Sequence, residues 1–322
     1  MARDLEPFPD LTGKTILQVA PELSAGGVER TVLEVTEAIV EAGGRALLAS
    51  RGGRLEGEFE KLGGQLFRMD AKSKNPVVLK LNEGKLKRII RSEGVNLVHA
   101  RSRAPAWSAY AAAKATGVPF VTTYHGAYSG EEGLKRKYNS VMAKGDLVIA
   151  NSQWIAAHVQ RVHDIPPDRI VTIPRGVDLE AFYPGAVTPQ RIEAVRTRWG
   201  LKDDKRLTLF LPGRLTEWKG QLLAIRALGL LAPEERDGLV LVLAGDAQGR
   251  DAYEGRIYDT IRQLQLDGQV LVVGHETDMP AAYLASDIVM APSTRPEAFG
   301  RTAAEASAMA RPVIVSDHGG GR

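Results

Sequence analysis

The chain has 322 residues, no cysteine, 44% apolar and 25% charged residues, and a formal charge of only +3. The missing cysteines exclude a disulfide framework and a thiolate metal site, and the length and apolar–charged balance suit a globular protein of two domains. The first residues, "MARDLEPFPD", carry charges and prolines where a signal peptide has an apolar run. No apolar run reaches the ~18–20 residues of a membrane span, so a cytoplasmic location is expected.

In chain order, short β-rich apolar runs alternate with longer helical patterns, which predicts an α/β protein with parallel sheets. "TILQVA" (15–20) is the first strand. After a loop holding Gly26 and Gly27, "ERTVLEVTEAIVEAG" has helical apolar spacing and a glycine stop. "RALLAS", "VNLVHA", "PFVTTY" and "DLVIAN" follow as strands ending at 50, 100, 124 and 151. Helical patterns lie between them, as at 83–92 and 105–116, and "RIVTIP" (169–174) closes this half.

The Pro- and Gly-rich stretch 175–190 reads as the linker region, which gives domains 1–185 and 186–322. The second series of strands is "LTLFLP" (207–212), "LVLVLAG" (239–245), "QVLVVG" (269–274), "DIVMAP" (287–292) and "PVIVSD" (312–317), with helices at 219–232, 252–266, 278–286 and 300–310. A further element is expected to cover the last sheet edge, so the second domain reads as incomplete. Two doubly wound, Rossmann-like domains bind ligands beyond the C-terminal ends of their strands, and the two edges are expected to face a central cleft.

Charge is spread unevenly. Residues 61–137 hold 15 Lys/Arg against 5 Asp/Glu. Two readings stand: a set of solvated helix faces, or a basic face for anionic lipid headgroups or an acidic acceptor. Nucleic acid is not expected, because the stretch has few interleaved aromatics and no RNA- or DNA-binding motif.

Two stretches could carry chemistry. In "GRLTEWKG" (213–220) a strand ends and a glycine turn presents Arg214 and Lys219, five apart. They are either exposed cations near a helix start or a fork and a point charge that flank a diphosphate. Cations at a helix N-terminus oppose the macrodipole, which weakens the first reading. In "RPEAFGRTAAE" (295–305) a loop leads to a helix expected to begin around Ala298 to Gly300. Its free N–H groups favour an anion. Glu297 precedes the helix. Glu305 lies two turns in, too far for a capping box, in an Ala-rich face where an unpaired buried carboxylate is costly. Either the two are a cap and a surface charge, or both hold one ligand.

Other candidates are weaker. His99 reads as a structural strand-end histidine, and His125, in "TTYHGAYSG", as a functional one. Asp178 fixes a turn. "SAGGVE" lacks the G-x-G-x-x-G spacing of a dinucleotide site, and there is no D-x-D pair or His cluster for a metal.

Together "GGVE" (26–29), "YHG" (124–126), "ANS" (150–152), "IPRGVD" (173–178), "GRLTEWKG", "LAGD" (243–246) and "PEAFGRTAAE" (296–305) resemble the retaining glycosyltransferases of family 4. The last of these is that family's E-x7-E signature. The resemblance implies a GT-B fold and transfer of a sugar from a nucleotide-diphosphate donor, UDP- or GDP-linked, to a glycan or lipid-linked acceptor. It implies retention of configuration and no metal or other cofactor. It matches Arg214 and Lys219 to the donor diphosphate, Glu297 to the sugar hydroxyls and Glu305 to the ribose. The N–H groups of Ala298, Phe299 and Gly300 match the sugar and phosphate contacts, Gly27 the donor-binding glycine loop of the acceptor-binding N-terminal domain, near the phosphate and acceptor, and His125 the histidine facing the reacting sugar. Gly274 and His275 occupy the usual nucleobase region. The expected pathway is cell-surface polysaccharide, lipopolysaccharide or glycolipid synthesis, with peripheral contact at the inner face of an anionic membrane. Alternatives on the same fold are a non-catalytic nucleotide-sugar-binding protein and a nucleotide-sugar 2-epimerase. Arg175 departs from the family, which commonly has asparagine there.

Overall fold

Among the residues that the computed structural model describes, 9–24 and 27–321, twelve strands form two sheets in which every pairing is parallel. Gly26 of the first glycine loop lies outside the described residues. The chain divides into compact units at Pro174 and Arg175.

The first unit holds seven strands: β1 (Thr15–Val19), β2 (Arg45–Ser50), β3 (Gln65–Arg68), β4 (Leu97–Ala100), β5 (Phe120–Tyr124), β6 (Leu147–Ala150) and β7 (Ile170–Thr172). Their spatial order is β3-β2-β1-β4-β5-β6-β7. Strands buried on both faces become near-continuous apolar runs, as in the fully buried Leu17, Val19, Leu48 and Ala49 of β1 and β2. The sequence reading lacked β3. It is a four-residue edge strand with exposed Gln65 and Arg68 at its ends, too short to show an alternation.

The second unit holds β8 (Leu207–Pro212), β9 (Leu239–Ala244), β10 (Val270–Gly274), β11 (Ile288–Ala291) and β12 (Val313–Val315), ordered β10-β9-β8-β11-β12. Alternation along β8 and β9 divides its core between the two faces. Phe210, Val240 and Val242 join Trp199 and Tyr283 in one cluster, whereas Leu211, Leu241 and Leu243 join Ile225 and Ile257 in the other. Each such fully buried side chain contributes roughly 1.5–3 kcal/mol.

The Pro- and Gly-rich stretch expected as the linker packs with this second unit. Phe182 and Val187 explain why. Both pack on the core that holds Tyr283, with the Phe182 and Tyr283 ring centres 6.1 Å apart. Asp178 does fix a turn there, its Oδ1 accepting the N–H groups of Glu180 and Ala181 at 3.0 Å.

Several helices are closed by side-chain caps. Asn75, Ser152, Thr188 and Asp278 accept N–H groups at the starts of Pro76–Ser92, Gln153–His163, Pro189–Arg198 and Met279–Leu284. Two helices of the second unit, Gln221–Gly229 and Arg301–Ala308, instead begin at Gly220 and Gly300 with no side-chain cap. Both follow the sheet at its reversal of strand order. No helix among the described residues is long and apolar enough to cross a membrane.

Candidate functional site

Strand order in the second sheet reverses at β8 and β11, the place where a parallel sheet opens a crevice beyond its carboxyl ends. The chain leaving β8 carries Arg214 and Lys219, and the chain leaving β11 carries Glu297. Gly220 brings the two exits together. Its φ is +83°, and a Cβ there would lie 2.0 Å from the Pro292 carbonyl oxygen. Only a glycine lets the β8 loop press so closely on the β11 exit. The Thr294 N–H donates to the Trp218 carbonyl at 2.8 Å and fixes the contact.

The consequence is an ion pair. Lys219 Nζ lies 2.8 Å from Glu297 Oε1, and Ser293 Oγ donates to the same oxygen. The two charged side chains are 17% and 15% exposed, so the pair is partly desolvated and held more firmly than a surface pair. The Lys219 ammonium also sits 4.6 Å from the centre of the Trp218 ring. Arg214 is exposed, and among the described residues no carboxylate partners it. Its backbone is anchored instead. Buried Gln221 donates to the Arg214 carbonyl at 3.0 Å and accepts the Tyr253 hydroxyl at 3.1 Å.

Glu297 itself sits on a turn backed by glycines. Its carbonyl accepts the Gly320 N–H at 2.7 Å, and a Cβ on Gly319, at φ +77°, would lie 2.7 Å from the Glu297 backbone. The helix after it begins at Arg301, later than the sequence reading had it, because Gly300 adopts a left-handed conformation as N-cap. Ala298 and Phe299 are therefore half-buried turn residues preceding the first helical N–H groups.

Glu305 is not left unpaired. Its side chain, 12% exposed, accepts Arg301 Nε at 2.8 Å on Oε1 and the Tyr283 hydroxyl at 2.9 Å on Oε2. Burial, and then the Glu305 charge, push the Tyr283 hydroxyl well above the usual tyrosine range, so it remains a donor. The sequence reading missed Ser293, Tyr283 and Gln221. The Arg301–Glu305 spacing of four was legible as a helical ion pair. Tyr283 comes from another helix and becomes a neighbour only in the fold.

Gly274 and His275 are exposed at the end of β10, with β9 between them and β8. The remaining candidates lie in the first unit. Gly27 opens the helix Gly27–Glu41, its carbonyl accepting Thr31 Oγ1 at 2.7 Å. His125 follows β5, half-buried, and its carbonyl accepts Asn151 Nδ2 at 3.4 Å. His99 is buried, with Nε2 2.7 Å from Thr123 Oγ1. Burial, then Arg101 and His125, hold it well below the usual histidine range, so it is a neutral core residue.

Two family models match the chain in succession: Glycosyltransferase Family 4 over residues 25–181 and Glycosyl transferases group 1 over residues 192–322. The crystal structure of a glycosyltransferase from Rickettsia africae is 37% identical with a TM-score of 0.86, covering 95% of this chain and 80% of that one. The chain belongs to the family 4 glycosyltransferases. Its two Rossmann-like units are accordingly those of the GT-B class. The D-inositol 3-phosphate glycosyltransferase of Xylanimonas cellulosilytica is 32% identical over 246 residues, which is 71% of this chain and 58% of the relative. The chain thus spans little more than half the length of that curated relative. Anabaena HepE, solved in complex with UDP, has a TM-score of 0.80 at 23% identity, covering 95% of this chain and 81% of its own, and shares the fold.

Proposed function

We propose that the chain transfers a hexosyl group from a UDP-sugar to an acceptor hydroxyl, with retention of configuration, in the synthesis of a cell-surface glycan or glycolipid. The reading is carried by the Lys219–Glu297–Ser293 cluster at the β8/β11 reversal, with exposed Arg214 beside it. Further support comes from the structural relative HepE, solved in complex with UDP and with UDP-glucose.

In this reading the donor exchanges partners with the ion pair. The diphosphate takes Lys219 and Arg214, and Glu297, released from the ammonium, accepts from the sugar hydroxyls. Glu305 accepts from the ribose hydroxyls while Arg301 and Tyr283 hold its carboxylate in place. The first N–H groups after Gly300 add partial positive charge at the phosphates. Gly274 and His275 lie toward the base. As the bond between the sugar's anomeric carbon and the diphosphate oxygen breaks, negative charge grows on the leaving group, where these cations are already in place. The acceptor oxygen bonds to the anomeric carbon on the face the diphosphate leaves, and its proton passes to the departing phosphate oxygen. Arg214, Lys219 and the helix start supply the charge that a metal would otherwise supply. The first unit takes the acceptor; its Gly27 loop lies near the phosphate and the acceptor, and its His125 steadies the sugar being transferred.

A thermal-shift screen across nucleotide sugars, followed by transfer assays on the full chain, tests this. Lys219→Ala and Glu305→Ala are expected to lose most transfer while remaining folded. Full activity in both variants sinks the assignment.

A further inference from the structure

The turn that follows β12 is pressed against the turn that carries Glu297. Glu297 and Gly319 form a parallel bridge, closed by the Gly320 N–H on the Glu297 carbonyl. A Cβ on Gly300 would lie 2.5 Å from Gly321 Cα, so the two turns also touch at the helix start. Residues of both turns line one small cavity of about 10 Å³, which is the room a single water needs. Its polar side chains are Ser293, Glu297, Ser316 and His318, and Ala303 and Val315 add apolar wall.

Two groups on this cavity have complementary needs. The His318 N–H donates to the Ser316 carbonyl at 2.8 Å, which fixes the residue in a tight turn. Its Nδ1 is buried, and among the described residues it has no hydrogen-bond partner. A buried ring nitrogen left that way is costly. Glu297 offers the matching acceptor. Lys219 Nζ and Ser293 Oγ both reach its Oε1, and among the described residues Oε2 accepts no hydrogen bond. Once a diphosphate draws Lys219 away, Ser293 alone is left to hold a carboxylate that is 15% exposed.

We infer that His318 is a positioning residue for Glu297, its Nδ1–H donating to one water in this cavity and that water donating to the carboxylate. The consequence for transfer rests on the proposed transferase reading. An ionised carboxylate only accepts, so a chain of donors ending on Glu297 needs the proton on Nδ1. A bridging water is nearly as favourable as a direct bond, and the cavity supplies it with Ser293 and Ser316 as further partners. With Lys219 on the diphosphate, the imidazole and the water replace the lost donor and keep Glu297 turned to the sugar hydroxyls. His318 acts through Glu297, so its effect falls on the sugar and not on UDP.

Calorimetry on the full chain with UDP, UDP-glucose and UDP-galactose, joined to NMR of the histidine ring nitrogens, tests this. His318→Ala is expected to weaken the sugar nucleotide that the parent binds best by about tenfold, with UDP affinity unchanged. His318→Asn, which keeps a donor at the place of Nδ1, is expected to restore that affinity. His318→Gln, whose amide reaches the place of Nε2, is not. This contrast decides the matter even where His318→Ala does not fold. In the parent, His318 Nδ1 is expected to carry a proton, and its resonance to shift in Glu297→Gln. Equal losses for UDP and the sugar nucleotides in all three variants make His318 a residue of the fold and overturn the inference, as does the absence of any loss. Rescue by Gln in place of Asn overturns it too, and so does an Nδ1 resonance that ignores Glu297→Gln. A parent that binds no nucleotide sugar overturns the transferase reading alone, since the NMR result still decides the link between His318 and Glu297.

Discussion

The two sheets share a parallel, doubly wound plan and treat the arginine at their points of reversal in opposite ways. In the first, Arg101 follows β4, is 2% exposed, and donates through Nε to Gln18 Oε1 at 3.0 Å. Gln18 is itself buried and donates to Thr36 Oγ1 at 2.9 Å and to the Val32 carbonyl at 3.2 Å. In the second, Arg214 follows β8 and is exposed, with its backbone alone anchored by Gln221. A buried guanidinium must find its acceptors within the protein, so Arg101 is committed to holding β1, β4 and the helix behind them. Arg214 keeps its donors open to solvent. Equivalent topology therefore does not dictate a side chain's role; desolvation decides whether a cation is committed to the fold.

The largest expected effects fall on opposite sides of that contrast. Lys219→Ala is expected to lower transfer by roughly 10²–10³-fold, the cost of removing one preorganised charge donor, and to leave the melting temperature near that of the parent. Arg101→Leu should do the reverse. It leaves buried Gln18 without its donor, which costs about 1–3 kcal/mol in urea unfolding, while UDP affinity is retained. A Lys219→Ala chain that unfolds, or an Arg101→Leu chain of unchanged stability, breaks the comparison.

Acid sharpens it. His99, His158 and His163 all lie in the first unit and are all held below the usual histidine range, chiefly by burial, His163 at about 4. A lowered folded value means that the unfolded chain binds the proton first. The stabilisation is thus present above the ordinary value near 6.5 and is lost as pH falls from there through the folded values. Urea midpoints should accordingly fall between about pH 6.5 and 4. Arg101 is one cause of the His99 shift, so Arg101→Leu should lessen this acid sensitivity as well as lower stability at neutral pH. An unchanged pH slope in that variant would separate the two residues.

What the sequence disclosed follows the same physics. Buried parallel strands are apolar runs, so β1, β2 and β8 to β11 were visible, while four-residue β3, with its polar ends at a sheet edge, was not. Arg214, Lys219, Glu297 and Glu305 stand out because charges beside glycine turns and in an Ala-rich helix need a reason. Their mutual geometry was hidden. The Lys219–Glu297 pair joins residues 78 apart, and Tyr283 reaches Glu305 from 22 residues away. The packing of the 175–190 stretch was hidden too, because composition marks a loop but not the core on which Phe182 lands.

The smallest expected effect separates fold from ligand within a single residue. Tyr283 is fully buried, its ring packed against Phe210 and Phe182 with centres 5.9 and 6.1 Å away. Tyr283→Phe keeps that packing and deletes only the hydroxyl donated to Glu305. The lost bond contributes about 1 kcal/mol, since Arg301 still holds the other carboxylate oxygen, and a melting temperature lower by about 2–4 °C is expected. If Glu305 grips the ribose, its looser carboxylate also weakens UDP binding by a few-fold. The two readouts need not agree. A lower melting temperature with UDP affinity unchanged would make Glu305 a residue that secures its own helix to the core, and the ribose contact would then have to come from another acceptor at the β8/β11 reversal.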